Sequence, residues 1–165
     1  EYLKMIEYKT AVLVAAAMKM GAIIADTSVE NANLIYDFGL SLGLAFQLQD
    51  DYLDGFGDPE TFGKQVGGDI IENKKTYLYL KAVEFSTPEK ASALEKLFSL
   101  QLEDNSEKIE TAKTVFNESG ASKATQEAIE MYTFKAFETL EKMTISEEKK
   151  NILKTFGENL MERKV

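Results

Sequence analysis

The 165-residue chain contains no cysteine, histidine or tryptophan and only 2 prolines. Without cysteine there are no disulfides and no thiolate metal sites, and the redox compartment stays open. Without histidine as well, Ser-His-Asp and Cys-His nucleophiles and ordinary zinc sites are excluded. Any chemistry must rest on carboxylates, lysines, hydroxyls and hard metal ions. Basic charge is also in short supply. Lys and Arg number 19 against 28 Asp and Glu, a formal charge of −9, which repels phosphate backbones and speaks against a nucleic-acid partner. No long hydrophobic run is present either. The longest, Ala11 to Ala25, is interrupted by Lys19 and is shorter than the ~20 residues a bilayer span needs. It reads as a buried helix, not a membrane segment. No charged-then-apolar signal segment is visible. Glu1 to Thr10 already reads as the interior of a helix, so the expectation is that the chain starts inside a larger protein.

What the chain does have is 44% hydrophobic and 28% charged residues, the composition of a globular domain with room for a core. Ala, Leu, Glu, Lys and Met dominate and strand-like alternation is scarce, which predicts an all-α fold in one domain. Core helices are expected over about 2–25 and 31–55, both apolar nearly all round. A connector over 57–72 follows, with Pro59 and four glycines (Gly57, Gly63, Gly67, Gly68), read as a mobile lid. Peripheral helices complete the pattern over about 73–85, 86–100, 106–118, 121–141 and 146–162. The second of these opens on Ser86-Thr87-Pro88, an N-cap followed by proline in the first turn.

The chemistry-bearing residues cluster at the end of the second helix, in Phe46-Gln47-Leu48-Gln49-Asp50-Asp51-Tyr52-Leu53-Asp54. At 3.6 residues per turn Gln47, Asp50, Asp51 and Asp54 share an arc of roughly 100°. Like charges at these spacings repel, and negative charge at a helix C-terminus opposes the helix dipole. One reading is a solvated acidic helix end. The other, favoured by the apolar neighbours Phe46, Leu48, Tyr52 and Leu53, is a cavity wall whose carboxylates hold Mg²⁺. Isolated lysines occur nearby in sequence: Lys9 beside Thr10, Lys64 after Gly63, and Lys74-Lys75 before Thr76. Each could pair with a carboxylate, or several could converge on a diphosphate bridged by Mg²⁺. Asp69, after Gly67-Gly68, reads as a loop or N-cap residue in preference to a ligand.

These pieces together resemble the trans-isoprenyl diphosphate synthases, most closely the short-chain farnesyl and geranylgeranyl type. Phe46-Gln47-x-x-Asp50-Asp51-x-x-Asp54 is similar to that family's second aspartate-rich motif. Gly63-Lys64-Gln65-Val66-Gly67-Gly68-Asp69-Ile70 and Lys74-Lys75-Thr76 follow in the family's order, and Tyr8-Lys9-Thr10-Ala11 resembles its Lys-Thr motif. Glu162-Arg163-Lys164 resembles the short basic C-terminus of many members. The likeness is dense over 8–76 and architectural beyond.

The resemblance implies the C-terminal part of an isoprenoid-synthase helical bundle. It implies a Mg²⁺-dependent prenyltransferase that ionises an allylic diphosphate, lets isopentenyl diphosphate attack the cation, and releases diphosphate and a proton. Carried over by position, Asp50, Asp51 and Asp54 would be the metal cluster, and Lys9, Lys64 and Lys74 would contact the allylic diphosphate. Thr10 and Gln47 would orient the site together with Lys9, and Phe46 would line the hydrocarbon pocket. A cytoplasmic homodimer is expected. The family's first aspartate-rich motif has no counterpart here, so the chain is expected to be inactive by itself. Alternatives are a non-catalytic subunit of the same fold, against which the three retained aspartates speak, and a terpene cyclase, against which Lys64 and Lys74 speak.

Overall fold

The computed structural model describes residues 1–58 and 66–162. Lys64 and the basic Arg163-Lys164 pair lie outside the described residues, as do residues 59–65 of the expected 57–72 lid. Among the described residues the regular structure is all helical, as the composition predicts. Helix α1 (Tyr2–Ile6) runs without a break through a π-helical turn (Glu7–Ala11) into α2 (Val12–Ile24). A long α3 (Val29–Phe56) follows, then a single turn α4 (Gly68–Ile71), α5 (Tyr77–Phe85), α6 (Pro88–Leu97), α7 (Ser106–Glu118), α8 (Ala121–Glu141) and α9 (Glu147–Met161). None of these helices is long and apolar enough to cross a membrane.

The described residues divide into two compact units, 1–47 with 128–162, and 48–58 with 66–127. In the first unit α2 and α3 approach through small residues. A Cβ on Gly43 would lie 2.8 Å from the Ala11 Cα, and one on Gly39 would lie 3.0 Å from the Ala15 Cα. Glycine is required here because the opposing atoms are backbone, which cannot step aside. Phe38 and Leu42 on the same helix pack with Ala136 and Leu140 of α8, and Phe38 lies 6.4 Å from the Phe137 ring. Asn31 ties the start of α3 to the loop before α9 by accepting the Thr144 N–H at 3.0 Å.

The first helical segment departs from expectation. Its buried residues are Ile6, Ala11 and Ala15, whereas Leu13 and Ile24 are 72% and 85% exposed. Past Ile6 the fully buried positions are therefore small residues, and large apolar side chains such as Leu13, Met20, Ile23 and Ile24 face outward.

The second unit has an aromatic core. Tyr79 of α5, Phe98 after α6 and Phe116 of α7 stack in sequence, with ring centroids 4.6 and 6.3 Å apart. Ile70, Leu78, Leu94, Ala112 and Ala121 fill around them. Helix α6 starts as its sequence dictates, with the Thr87 hydroxyl accepting the Lys90 N–H and Pro88 in the first turn. The expected helix from residue 73 is corrected: Asn73 takes a left-handed φ of 58°, which no helix interior tolerates, so α5 starts only at Tyr77.

Candidate functional site

Two groups of the singled-out residues come together, one in each unit. In the first unit the π turn carries Lys9 and Thr10. Such a widened turn inserts an extra residue into the helical repeat, shifting the register of what precedes it by roughly 100°. The Thr10 hydroxyl donates to the Gln47 Oε1 at 2.9 Å. Positions 39, 43 and 47 follow one another at one-turn spacing along α3. The two glycines that bring the helices to contact thus bring Gln47 within reach of Thr10. Phe46 and Gln47 are half-buried, and Lys9 is exposed on the π turn.

In the second unit the acidic end of α3 meets the segment 66–74. The Asp54 Oδ2 accepts the Asp69 N–H at 2.8 Å, and the Asp54 carbonyl accepts the Gly67 N–H at 2.6 Å. Gly67 holds a left-handed φ of 86°, and a Cβ on Gly68 would sit 3.1 Å from the Asp54 Oδ1. Both glycines are needed, one for the turn and one for close approach to the carboxylate. Asp69 serves α4 from its first turn and accepts a hydrogen bond from the Lys74 Nζ at 2.9 Å. Lys74 also pairs with Glu72 at 2.8 Å, and these two carboxylates hold its ammonium well above the usual lysine range.

Burial pushes the Asp54 carboxyl up to about 6. The nearby charges of Asp69 and Asp50 add to this, while the Asp69 N–H and the Lys74 charge oppose it. Such a carboxylate is short of positive charge. Asp50 is half-buried like Asp54, whereas Asp51 is only 6% exposed. No three acidic side chains among the described residues converge as a metal-binding group. The donor set is nevertheless all oxygen and net negative, which suits Mg²⁺, a hard ion that completes its shell with phosphate oxygens and water.

Sequence reasoning missed the π turn, the Asp69 N–H on Asp54 and the buried Lys108 of α7, which is 1% exposed. For Lys108 a signal existed: Lys108, Ala112 and Phe116 fall on one helix stripe at spacing four, and all three are buried.

Comparison with known proteins places this helical chain and its Asp-rich helix end in context. The family model for polyprenyl synthetase matches residues 1–119. The chain belongs to the polyprenyl synthetase family. It is 40% identical over 122 residues to the short chain isoprenyl diphosphate synthase of Methanothermobacter thermautotrophicus, covering 74% of this chain and 37% of that protein. It is 46% identical over 84 residues to the geranylgeranyl diphosphate synthase of Sulfolobus acidocaldarius, 51% of this chain and 26% of the other. A crystal structure of a geranylgeranyl pyrophosphate synthase superposes with a TM-score of 0.91 at 54% identity, over 99% of this chain and 51% of that one. The polyprenyl synthase of Caulobacter crescentus, complexed with calcium and isoprenyl diphosphate, gives a TM-score of 0.85 at 34% identity over 98% and 49%. The chain spans about half the length of these solved relatives and 37% or less of the two sequence relatives.

Proposed function

We propose that the protein is a prenyltransferase that joins an allylic diphosphate to isopentenyl diphosphate, releasing diphosphate and a proton. In this reaction the allylic C–O bond breaks and diphosphate leaves with the electron pair. The double bond of isopentenyl diphosphate forms the new C–C bond, and a proton is lost to restore an alkene, with the departing diphosphate as its acceptor. The observation that carries the reading is the Asp54 carboxylate at the acidic end of α3, half-buried, closely approached by Gly68 and accepting the Asp69 N–H.

Asp50 and Asp54 would hold Mg²⁺, with the buried Asp51 fixing the helix end between them. Bound there, Mg²⁺ supplies charge neutralisation of the leaving diphosphate, which is electrostatic work that needs neither histidine nor cysteine. Lys74, held after α4 by Asp69 and Glu72, would exchange those carboxylates for diphosphate oxygens, and Lys9 and Lys64 are further candidates for diphosphate contact on their match to the family's motifs. Thr10 and Gln47, locked to each other, would keep the amide of Gln47 in one orientation, and Phe46 would border the hydrocarbon chain. A cytoplasmic homodimer is the setting we assign. The three retained aspartates favour this reading over a non-catalytic subunit.

The test is incorporation of labelled isopentenyl diphosphate into a longer prenyl diphosphate by the full protein with an allylic primer and Mg²⁺. Product that disappears on chelation and on Asp50→Ala supports the reading. Product that survives either treatment at a comparable rate overturns it.

A further inference from the structure

Lys108 is buried on the core stripe of α7, and its ammonium lies 6.0 Å from the Phe98 ring centre. A buried cation is strongly unfavourable unless its donors are met, and burial lowers its pKa. Its Nζ donates to the Asn73 Oδ1 at 2.7 Å, the Leu100 carbonyl at 3.0 Å and the Ile71 carbonyl at 3.5 Å. All three acceptors are neutral, and no carboxylate among the described residues pairs with it. Neutral acceptors do not cancel the charge. What the arrangement does is tie three points of backbone and turn to one helix.

Two of those points, Ile71 and Asn73, close the turn that follows α4, and the Asn73 Nδ2 reaches the Leu100 carbonyl at 3.2 Å. The next residue of α7, Ile109, braces the other end of the same segment: a Cβ on Gly67 would lie 2.9 to 3.0 Å from three Ile109 side-chain atoms. Between these two braces sits the Asp69 N–H that binds Asp54, and just past the second the Lys74 N–H donates to the Asp69 carbonyl at 2.8 Å. We infer that Lys108 is a positioning residue, holding the Gly67–Lys74 segment in the shape that presents the Asp69 N–H to Asp54 and sets Lys74 beside it. The inference rests on the proposed reading of Asp54 and Lys74 as parts of a magnesium diphosphate site. Lys108 itself touches neither.

The test compares the full protein with Lys108→Met, Asn73→Ala, Asn73→Asp and Phe116→Leu. The last is a core truncation in the same unit that leaves the segment's own hydrogen bonds in place. Three quantities are read: unfolding midpoint, exchange of the Gly67 and Asp69 amides, and calorimetric binding of inorganic diphosphate with Mg²⁺. Lys108→Met and Asn73→Ala should each weaken diphosphate binding about 10-fold, as loss of an outer-shell support does, and speed exchange of both amides at least about 10-fold. Asn73→Asp, which keeps an acceptor for Lys108 and tolerates the left-handed backbone but loses the Nδ2 donor to the Leu100 carbonyl, should fall between Asn73→Ala and the parent in both readings. Phe116→Leu should lower the midpoint and leave both unchanged. Equal loss of binding in Lys108→Met and Phe116→Leu, or unchanged exchange in Lys108→Met, would overturn the inference. If Lys108→Met does not fold, the two Asn73 variants decide on the same readings. If the parent binds no diphosphate, the proposed function fails by itself, and amide exchange still decides whether Lys108 holds the segment.

Discussion

The two units reach stability by opposite means. The first is built on small residues: Gly39 and Gly43 against Ala15 and Ala11, with large apolar side chains such as Leu13 and Ile24 left outside. The second is built on large ones, the Tyr79, Phe98 and Phe116 stack, and it encloses a cation. The candidate site residues follow suit. Thr10 and Gln47 meet through a neutral hydrogen bond set by helix spacing. Asp54, Asp69 and Lys74 meet through charge in a segment held by turns. The difference teaches that the first group should be sensitive to volume and the second to charge.

The largest effect should come from charge. Asp50→Ala in the full protein is expected to reduce turnover by about three orders of magnitude, roughly 4 kcal/mol of barrier, while circular dichroism and melting stay close to the parent. Activity within tenfold of the parent would remove Asp50 from the metal site. Next is volume: Gly43→Ala drives a Cβ toward the Ala11 backbone at 2.8 Å and should destabilise by about 2 kcal/mol. Denaturant titration reads it, and a neutral result would mean that the helices separate at no cost.

A smaller, pH-dependent effect is expected at Asp54. Its carboxyl is raised from 3.8 to about 6 in the fold, so the folded state holds the proton more tightly than the unfolded chain. The carboxyl's contribution to stability is fully present below about pH 4 and is lost as pH rises through about 6. In metal-free buffer Asp54→Asn should therefore stabilise by roughly 1 kcal/mol at pH 7, discounted for its partial exposure, and change little at pH 4. Equal effects at both pH values would contradict burial of the charge. Thr10→Val should cost about 1 kcal/mol through the lost bond to Gln47, measurable by the same titration. The smallest change has the opposite sign. A Cβ on Gly21 meets nothing within 4 Å, so Gly21→Ala should stabilise by about 0.5–1 kcal/mol, and a loss of stability there would show that small residues on α2 serve something besides contact with α3.

Much of this was legible in the sequence because local signals and tertiary structure agree. Helices α7 and α8 fall at the expected boundaries, separated by Gly120 at a left-handed φ of 85°, and Ser146 caps α9 by accepting the Lys149 N–H. The acidic motif and the Lys-Thr pair were visible as residues. Their surroundings were not. The π turn leaves no mark in a pattern read at 3.6 residues per turn. The stop at Asn73 came from a backbone conformation that asparagine permits without announcing. The apolar surface of α2 looked like the inside of a bundle because hydrophobicity reports what a side chain prefers, not what stands next to it.

The glycine contact also constrains how this sequence can drift. Where Gly43 faces the Ala11 Cα, the obstacle to a side chain is main chain, so no substitution at position 11 makes room for one at 43. The path of the opposing backbone, not the identity of its residue, fixes position 43 as glycine. Relatives that keep this helix contact should carry glycine there whatever stands at 11, whereas outward positions such as Leu13 and Ile24 are under no such constraint.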